Sequence, residues 1–444
     1  MFNPERAVLK ALNLGADYAD AIIYEVEQYE QAFRGGSIES NEARSIVYGV
    51  RVIVEGRMGI ASSTAPNEDR LVRSAIKAAS LGMRVRGLAG GRMARGSYKF
   101  PEAQSITDNF YEEIPDYIVS FTSEVEERLS EVVKYTEVIV TASKVRRFIV
   151  SSEGTNAYEE KPIVDFVAST LVRGSREVSS IAVGGTGGLE VILSYSPKKL
   201  ANQLARRSSS GVIAKRLNPV YRGFSFPVIF NGKAAAALIH EAVGHPLEAD
   251  TAIERGRPIR VGVKMASRDL TVIDDPLIPG GYGSYFFDDE GVVARRKTLV
   301  EDGVIVNLIH NRWSAHIYGV EPLGNGRGLF YPPKALMSNI KVKPRDWKLQ
   351  EMIEETRLGF LVNDAVRAEL INGFISLIPE DAWLIERGEV KEPVNLREVR
   401  LSTFKALNKI DAVGRAVDSR FTVEKGQPIG EYSPPIRISE VHIF

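Results

Sequence analysis

The 444 residues contain no cysteine. That excludes disulfides, thiol nucleophiles and every zinc site built on thiolate. Histidine is almost as scarce, five in the whole chain, so any two that stand close together command notice. Net charge is absent as well: 57 basic residues balance 57 acidic ones. Without a global field to attract polyanions, nucleic-acid binding and attachment to anionic lipid are both disfavoured. No apolar run approaches the roughly 20 residues that span a bilayer. The opening MFNPERAVLKAL has no cationic region followed by an apolar stretch. The expectation is a cytoplasmic protein with no membrane partner.

What is present reads as a folded α+β chain, 44% apolar and 26% charged. Its length is large for one hydrophobic core and suggests two domains. Asn3 before Pro4 caps a helix to about Asn13. Residues 18–28 alternate as a strand, 46–54 and 58–61 form a hairpin over Glu55-Gly56-Arg57, and 69–81 carry a helical apolar period. Residues 84–99, Gly-rich and basic, lack a Walker pattern and interleaved aromatics and read as a solvated loop. Residues 111–133 read as an acidic helix on the first domain's sheet, with strands from Glu137. The glycines of 184–188 suggest a phosphate loop, but LEVILSYS after them reads as a strand, not a helix N-terminus. A helix over 198–208 precedes a linker at 217–223. Beyond it, DLTVIDDP, SYFFDDEG and the Asp302-Gly303 turn indicate antiparallel strands, with a helix over 347–357 and strands again in the tail. The domains expected are an N-terminal mixed α/β unit, 1–220, and a C-terminal antiparallel, β-rich unit, 221–444.

Reactive side chains crowd into one stretch, residues 231–250, NGKAAAALIHEAVGHPLEAD, directly after a short buried strand at 226–230. His240, Glu241 and His245 form H-E-x-x-x-H. Two imidazoles and a carboxylate can hold a divalent metal and activate water on it. The zinc helix H-E-x-x-H spaces its histidines by four, about 40° apart around the axis; five gives about 140°. One ideal helix therefore cannot aim both rings at one ion. Gly244 and Pro246 predict that the helix ends or bulges at Gly244, letting His245 swing back towards His240. The competing reading is a helix end with two structural histidines.

Residues 238–250, LIHEAVGHPLEAD, resemble the signature of the TldD branch of the TldD/PmbA family, metallopeptidases once described as modulators of DNA gyrase. The resemblance runs through GADYADAII and YGVRVIVEGRMGIAS to GVEPLGNGRG and ALMSN, and weakens after Lys343. It implies a zinc cofactor held by His240 and His245, with Glu241 as the proton acceptor. It also implies unfolded peptides as substrates, and a homodimer or a heterodimer with a PmbA-like subunit. Asn325 and Arg327, in GNGRG, are candidates to bind substrate.

The chain departs from this pattern in three places. Pro246 stands where relatives carry Gly, and a Gly-Gly pattern expected near residues 363–370 is missing. The family's third metal ligand is a cysteine in a segment near the C-terminus, and Thr422 in TVEKGQ occupies that place. A neutral hydroxyl is a poor substitute for thiolate. Either another donor completes the site, with Glu248 and His442 the candidates, or the chain is a catalytically impaired scaffold or partner subunit.

Overall fold

The structure is a computed structural model and describes residues 2–85, 87–175 and 178–443. It is α+β with several sheets, as expected. The first half is built on one seven-stranded sheet whose centre is a run of long antiparallel strands, Ser37–Val54, Tyr18–Arg34, Val133–Ser151 and Asn156–Val172. Two groups of helices cover it. Pro4–Asn13 and Glu68–Ala79 bury Ala7, Ala11, Val72 and Ala75 against one end of the sheet. Phe110–Leu129 and Pro197–Ile213 bury Phe110, Phe121 and Leu204 against the other. Asn3 accepts from Arg6 N at 2.9 Å, the cap its position promised.

Two segments differ from what their sequence suggests. Residues 84–99 are not a solvated loop throughout: Arg95–Lys99 is a strand parallel to Asn156–Val172, and Val85 and Ala94 are buried. Arg86 lies outside the described residues. LEVILSYS contains a short helix, Glu190–Leu193, rather than a strand. The preceding Gly184 and Gly185 pair with Asp165 and Val164 as strand residues, so close backbone approach explains the glycines.

The second half holds two large sheets and a two-stranded one, Gly326–Arg327 with Lys334–Ala335. Strand Ser225–Phe230 lies in an eight-stranded sheet between Leu358–Ile371, which is parallel to it, and Ile436–Ile443. A six-stranded sheet ends in the hairpin Asp418–Glu424 and Gln427–Ser433, whose second strand runs parallel to Asn339–Val342. Antiparallel pairing dominates, but these parallel joins fold the chain's tail back onto its middle. The helix Gly232–Ile239 sits between the sheets. Its run of four alanines is buried on all sides, and small side chains let it pack closely against a sheet on either face. A Cβ on Gly232 would come within 2.5 Å of Asp418 Cβ and 2.8 Å of Ser433 O, so glycine is required for this approach.

Candidate metal centre

The buried strand delivers the chain to Asn231, and the helix that follows keeps ordinary α geometry only to Ile239. From His240 to Gly244 the coil widens into a π turn, closed by the His245 N–H donating to His240 O. One extra residue per turn brings positions five apart onto one face, and such turns recur at functional sites. A Cβ on Gly244 would meet Met337 Sδ at 2.5 Å, so a larger residue here would displace the end of that methionine. Pro246 then opens a 3₁₀ turn, His245–Leu247.

The two imidazoles consequently meet, with Nε2 atoms 3.2 Å apart and rings inclined at 78°. A carboxylate stands at the far nitrogen of each, hydrogen-bonded to His245 and in ion-pair contact with His240. His240 Nδ1 lies 3.0 Å from Glu431 Oε1, and His245 Nδ1 lies 3.0 Å from Glu248 Oε1. Carboxylates there favour the Nδ1–H tautomer and leave both Nε2 lone pairs pointing inward. Arg420 supports Glu431 at 3.0 Å, and Lys425 supports Glu248 at 3.4 Å.

A third inward donor is Glu424, whose Oε2 lies 3.3 Å from His240 Nε2 and 3.4 Å from His245 Nε2. That oxygen is buried and accepts no hydrogen bond. Among the described residues, His240, His245 and Glu424 form the cluster of His and acidic groups that could hold a metal. The triangle they define can be tested against an ion. With Zn–N and Zn–O bonds of about 2.0–2.1 Å, neighbouring donors on a tetrahedral centre lie about 3.3 Å apart. The observed edges of 3.2, 3.3 and 3.4 Å fit.

Electrostatics agree with the distances. With Glu241 ionised and both imidazoles neutral, as metal ligation requires, four carboxylates (241, 248, 424 and 431) face two cations, Arg420 and Lys425, leaving two negative charges for a cation to neutralise. The His240 ring registers this field. Burial alone would lower its pKa, but Glu431 and Glu424 carry it up to about 10. Burial would raise the Glu424 pKa, yet His240 and His245 hold it down at about 2. Burial raises the Glu241 pKa, opposed by the two histidines. Glu241 Oε2 accepts from Leu370 N at 2.7 Å, which leaves Oε1 at 3.8 and 4.0 Å from the two Nε2 atoms.

The expected third donors fall elsewhere. Glu248 lies behind the His245 ring and orients it. Thr422 sits two residues before Glu424, about 6.6 Å back along the same strand face. His442 is exposed, its Nδ1 3.2 Å from Ser225 Oγ at the strand's far end. Asn325 is fully buried and committed to Lys297, Asp274 and Leu336 O. Arg327, also buried, donates from Nη2 to Gln427 Oε1 at 2.5 Å. Neither Glu424 nor Glu431 stands out in the sequence, although strand alternation through TVEKGQ places residue 424 on the face of residue 422.

Comparison with known proteins finds matches along most of the chain. The pattern for the PmbA/TldA metallopeptidase C-terminal domain matches residues 224–444, that for the central domain 104–211, and that for domain 1 19–82. The chain belongs to the PmbA/TldD metallopeptidase family. A metalloprotease of Methanothermobacter thermautotrophicus is 27% identical over 468 aligned residues, covering 96% of this chain and 98% of the relative. One from Methanocaldococcus jannaschii is 28% identical over 431, covering 93% and 92%. A zinc metalloprotease TldD homolog of Saccharolobus solfataricus is 24% identical over 250, covering 54% and 56%. The crystal structure of TldE from Thermococcus kodakarensis superposes with a TM-score of 0.78 over 99% of both chains at 19% identity, a likeness of fold. Family membership thus supports a metallopeptidase-type activity and a metal cofactor, and the His, His, Glu cluster is this chain's candidate for holding it.

Proposed function

We propose that this PmbA/TldD protein is a zinc-dependent peptidase for unfolded peptides, with His240, His245 and Glu424 as metal ligands and Glu241 as general base. The observation that carries the reading is the triangle of two Nε2 atoms and Glu424 Oε2, its edges matched to a tetrahedral ion. When bound, zinc supplies Lewis acidity to a peptide carbonyl and lowers the pKa of water. Everything else is done by the chain itself. Glu431 and Glu248 fix the rings. The Leu370 N–H occupies one Glu241 oxygen, leaving the other to take a proton from the attacking water and return it to the departing amine. A partly desolvated carboxylate with a raised pKa is the better base for this task.

Extended substrates suit the surroundings. Beyond Val362, the strand Leu358–Ile371 has a described pairing on one side only, and its other edge leads through Leu370 to Glu241. Such an edge can take up peptide backbone as an added strand. The alternative of an impaired scaffold subunit was motivated by the absent cysteine, and it weakens where Glu424 offers an anionic oxygen instead. A cytoplasmic homodimer, or a heterodimer with a PmbA-like subunit, completes the proposal; light scattering at micromolar concentration should give a mass well above the 49.0 kDa of one chain.

The decisive experiment measures zinc content and cleavage of an unfolded peptide for wild type, Glu241→Ala and His240→Ala in parallel. Glu241→Ala should keep its zinc and lose about 10² to 10⁴ in rate. His240→Ala should lose both. Cleavage by Glu241→Ala at the wild-type rate would sink the mechanism, and an inactive, zinc-free wild type would favour the scaffold.

A further inference from the structure

Between the two halves of the chain, beside the tip of the tail hairpin, lies a cavity of about 50 Å³. One water needs about 10–15 Å³ in this measure, so there is room for a carboxylate head group and little more. Three cations and two carboxylates line it: Arg147, Lys161 and Arg327 against Glu159 and Asp289, all nine-tenths or more buried. One positive charge is left over.

The cations differ in how far they are satisfied. Arg147 is consumed by Glu159, by Asp289 Oδ1 at 2.5 Å and by Phe287 O. Arg327 uses Nη2 on Gln427, but its buried Nε and Nη1 meet no hydrogen-bond acceptor; the nearest carboxylate, Asp289 Oδ2, stands 3.7 Å from Nε. Lys161 has three N–H groups and donates to Ser284 O at 2.9 Å. Burial pulls its pKa down to about 7 against the opposing pull of Glu159, which is what a buried ammonium short of anionic partners does. A buried donor left without a partner is destabilising, so such a group calls for an acceptor.

We infer that this cavity is a subsite for a carboxylate monoanion, and that the free C-terminal carboxylate of a bound peptide is an occupant it fits. A doubly charged phosphate would overcompensate the single spare positive charge and crowd Glu159 and Asp289. The location connects the subsite to the metal centre. Gly426, Gln427 and Pro428 line the cavity, and Gln427 is the direct cross-strand partner of Glu424. The inference rests on the reading that peptides enter this site, but not on their being cleaved.

The test is equilibrium binding to the zinc-loaded Glu241→Gln protein of an N-terminally labelled Ala/Gly hexapeptide, as the free acid and as the C-terminal amide, with N-acetylglycine as competitor. The free acid should bind at least tenfold more tightly than the amide. Arg327→Met should abolish that preference and Lys161→Met reduce it several-fold, both leaving amide affinity unchanged. Lys161→Met decides the matter alone if Arg327→Met does not fold. Displacement by N-acetylglycine would show that the head group suffices; a persistent acid preference without displacement would show that the peptide is the carboxylate's source. Equal affinity for acid and amide, or a preference that survives both substitutions, would overturn the inference. A protein that prefers the acid while its wild-type form cleaves nothing would refute only the peptidase reading.

Discussion

Two imidazoles five positions apart converge because the π turn puts them on one face, with a carboxylate at each outer nitrogen, Glu431 at His240 and Glu248 at His245. The third corner is Glu424, and replacing it separates the candidate ligands. Glu424→Gln should weaken zinc binding by more than the about 10–100-fold that losing an outer partner of a ligand costs. Thr422→Ala should leave it unchanged. Competition with a chromophoric chelator measures both; if Thr422→Ala proves the more damaging, Glu424 is not the ligand. A different residue sets the response to acid. His310 is buried with Nδ1 3.0 Å from Ser314 Oγ, and burial, aided by Lys297, pushes its pKa down to about 4. A depressed His pKa means the folded state binds its proton less readily, so the stabilisation is present above the unfolded value near 6.5 and is lost as pH falls towards 4. The loss between pH 7 and 4 should reach about 3 kcal/mol. His310→Gln should flatten that part of the stability profile in urea titrations; an unchanged slope would refute the assignment.

At the element scale, the centre depends on how closely one helix approaches one hairpin. Gly232–Ile239 presents His240, while Asp418–Glu424 and Gln427–Ser433 present Glu424 and Glu431. Asp418 and Ser433 are cross-strand partners, and both crowd Gly232. Gly232→Ala should therefore act twice. Overpacking should cost about 1–3 kcal/mol in urea denaturation. Pushing the hairpin away should also lower zinc affinity, although residue 232 lies two turns from the rings. Full zinc affinity in a destabilised Gly232→Ala protein would show that the hairpin's placement does not depend on this contact.

Across the whole molecule, buried ion pairs tie the halves together. Arg51 pairs with Asp20 and donates to Gly328 O and Asp289 O, and Arg147 bridges Glu159 to Asp289. The contacts that cross between the halves, from Arg51 to Gly328 O and Asp289 O and from Arg147 to Asp289, join residues more than a hundred positions apart, so the halves should unfold as one unit. Arg147→Ala would strand Glu159 and Asp289 without their main cation, at about 3–5 kcal/mol. A lower denaturation midpoint for both halves, followed by hydrogen exchange, is the expected result. Destabilisation confined to one half would mean that they fold independently.

Local rules made much of this protein legible. The Asn3 cap, the Glu55-Gly56 turn with both residues at positive φ, and the period of Glu68–Ala79 are each set by neighbours within a few residues. The sequence also determined that His240, Glu241 and His245 belong together and that Gly244 must disturb the helix, because spacing and backbone steric rules suffice for both. LEVILSYS misled because a four-residue helix is too short to show a period. Only the tertiary structure brings Glu424, rather than Glu248, Thr422 or His442, to the inward side of both rings. That placement depends on a hairpin some 180 residues later in the chain, packed against the helix through a parallel strand join. Register within the hairpin then decides which side chain faces the rings. Contacts of such sequence separation are selected by the packing of whole sheets, which no window of neighbouring residues encodes.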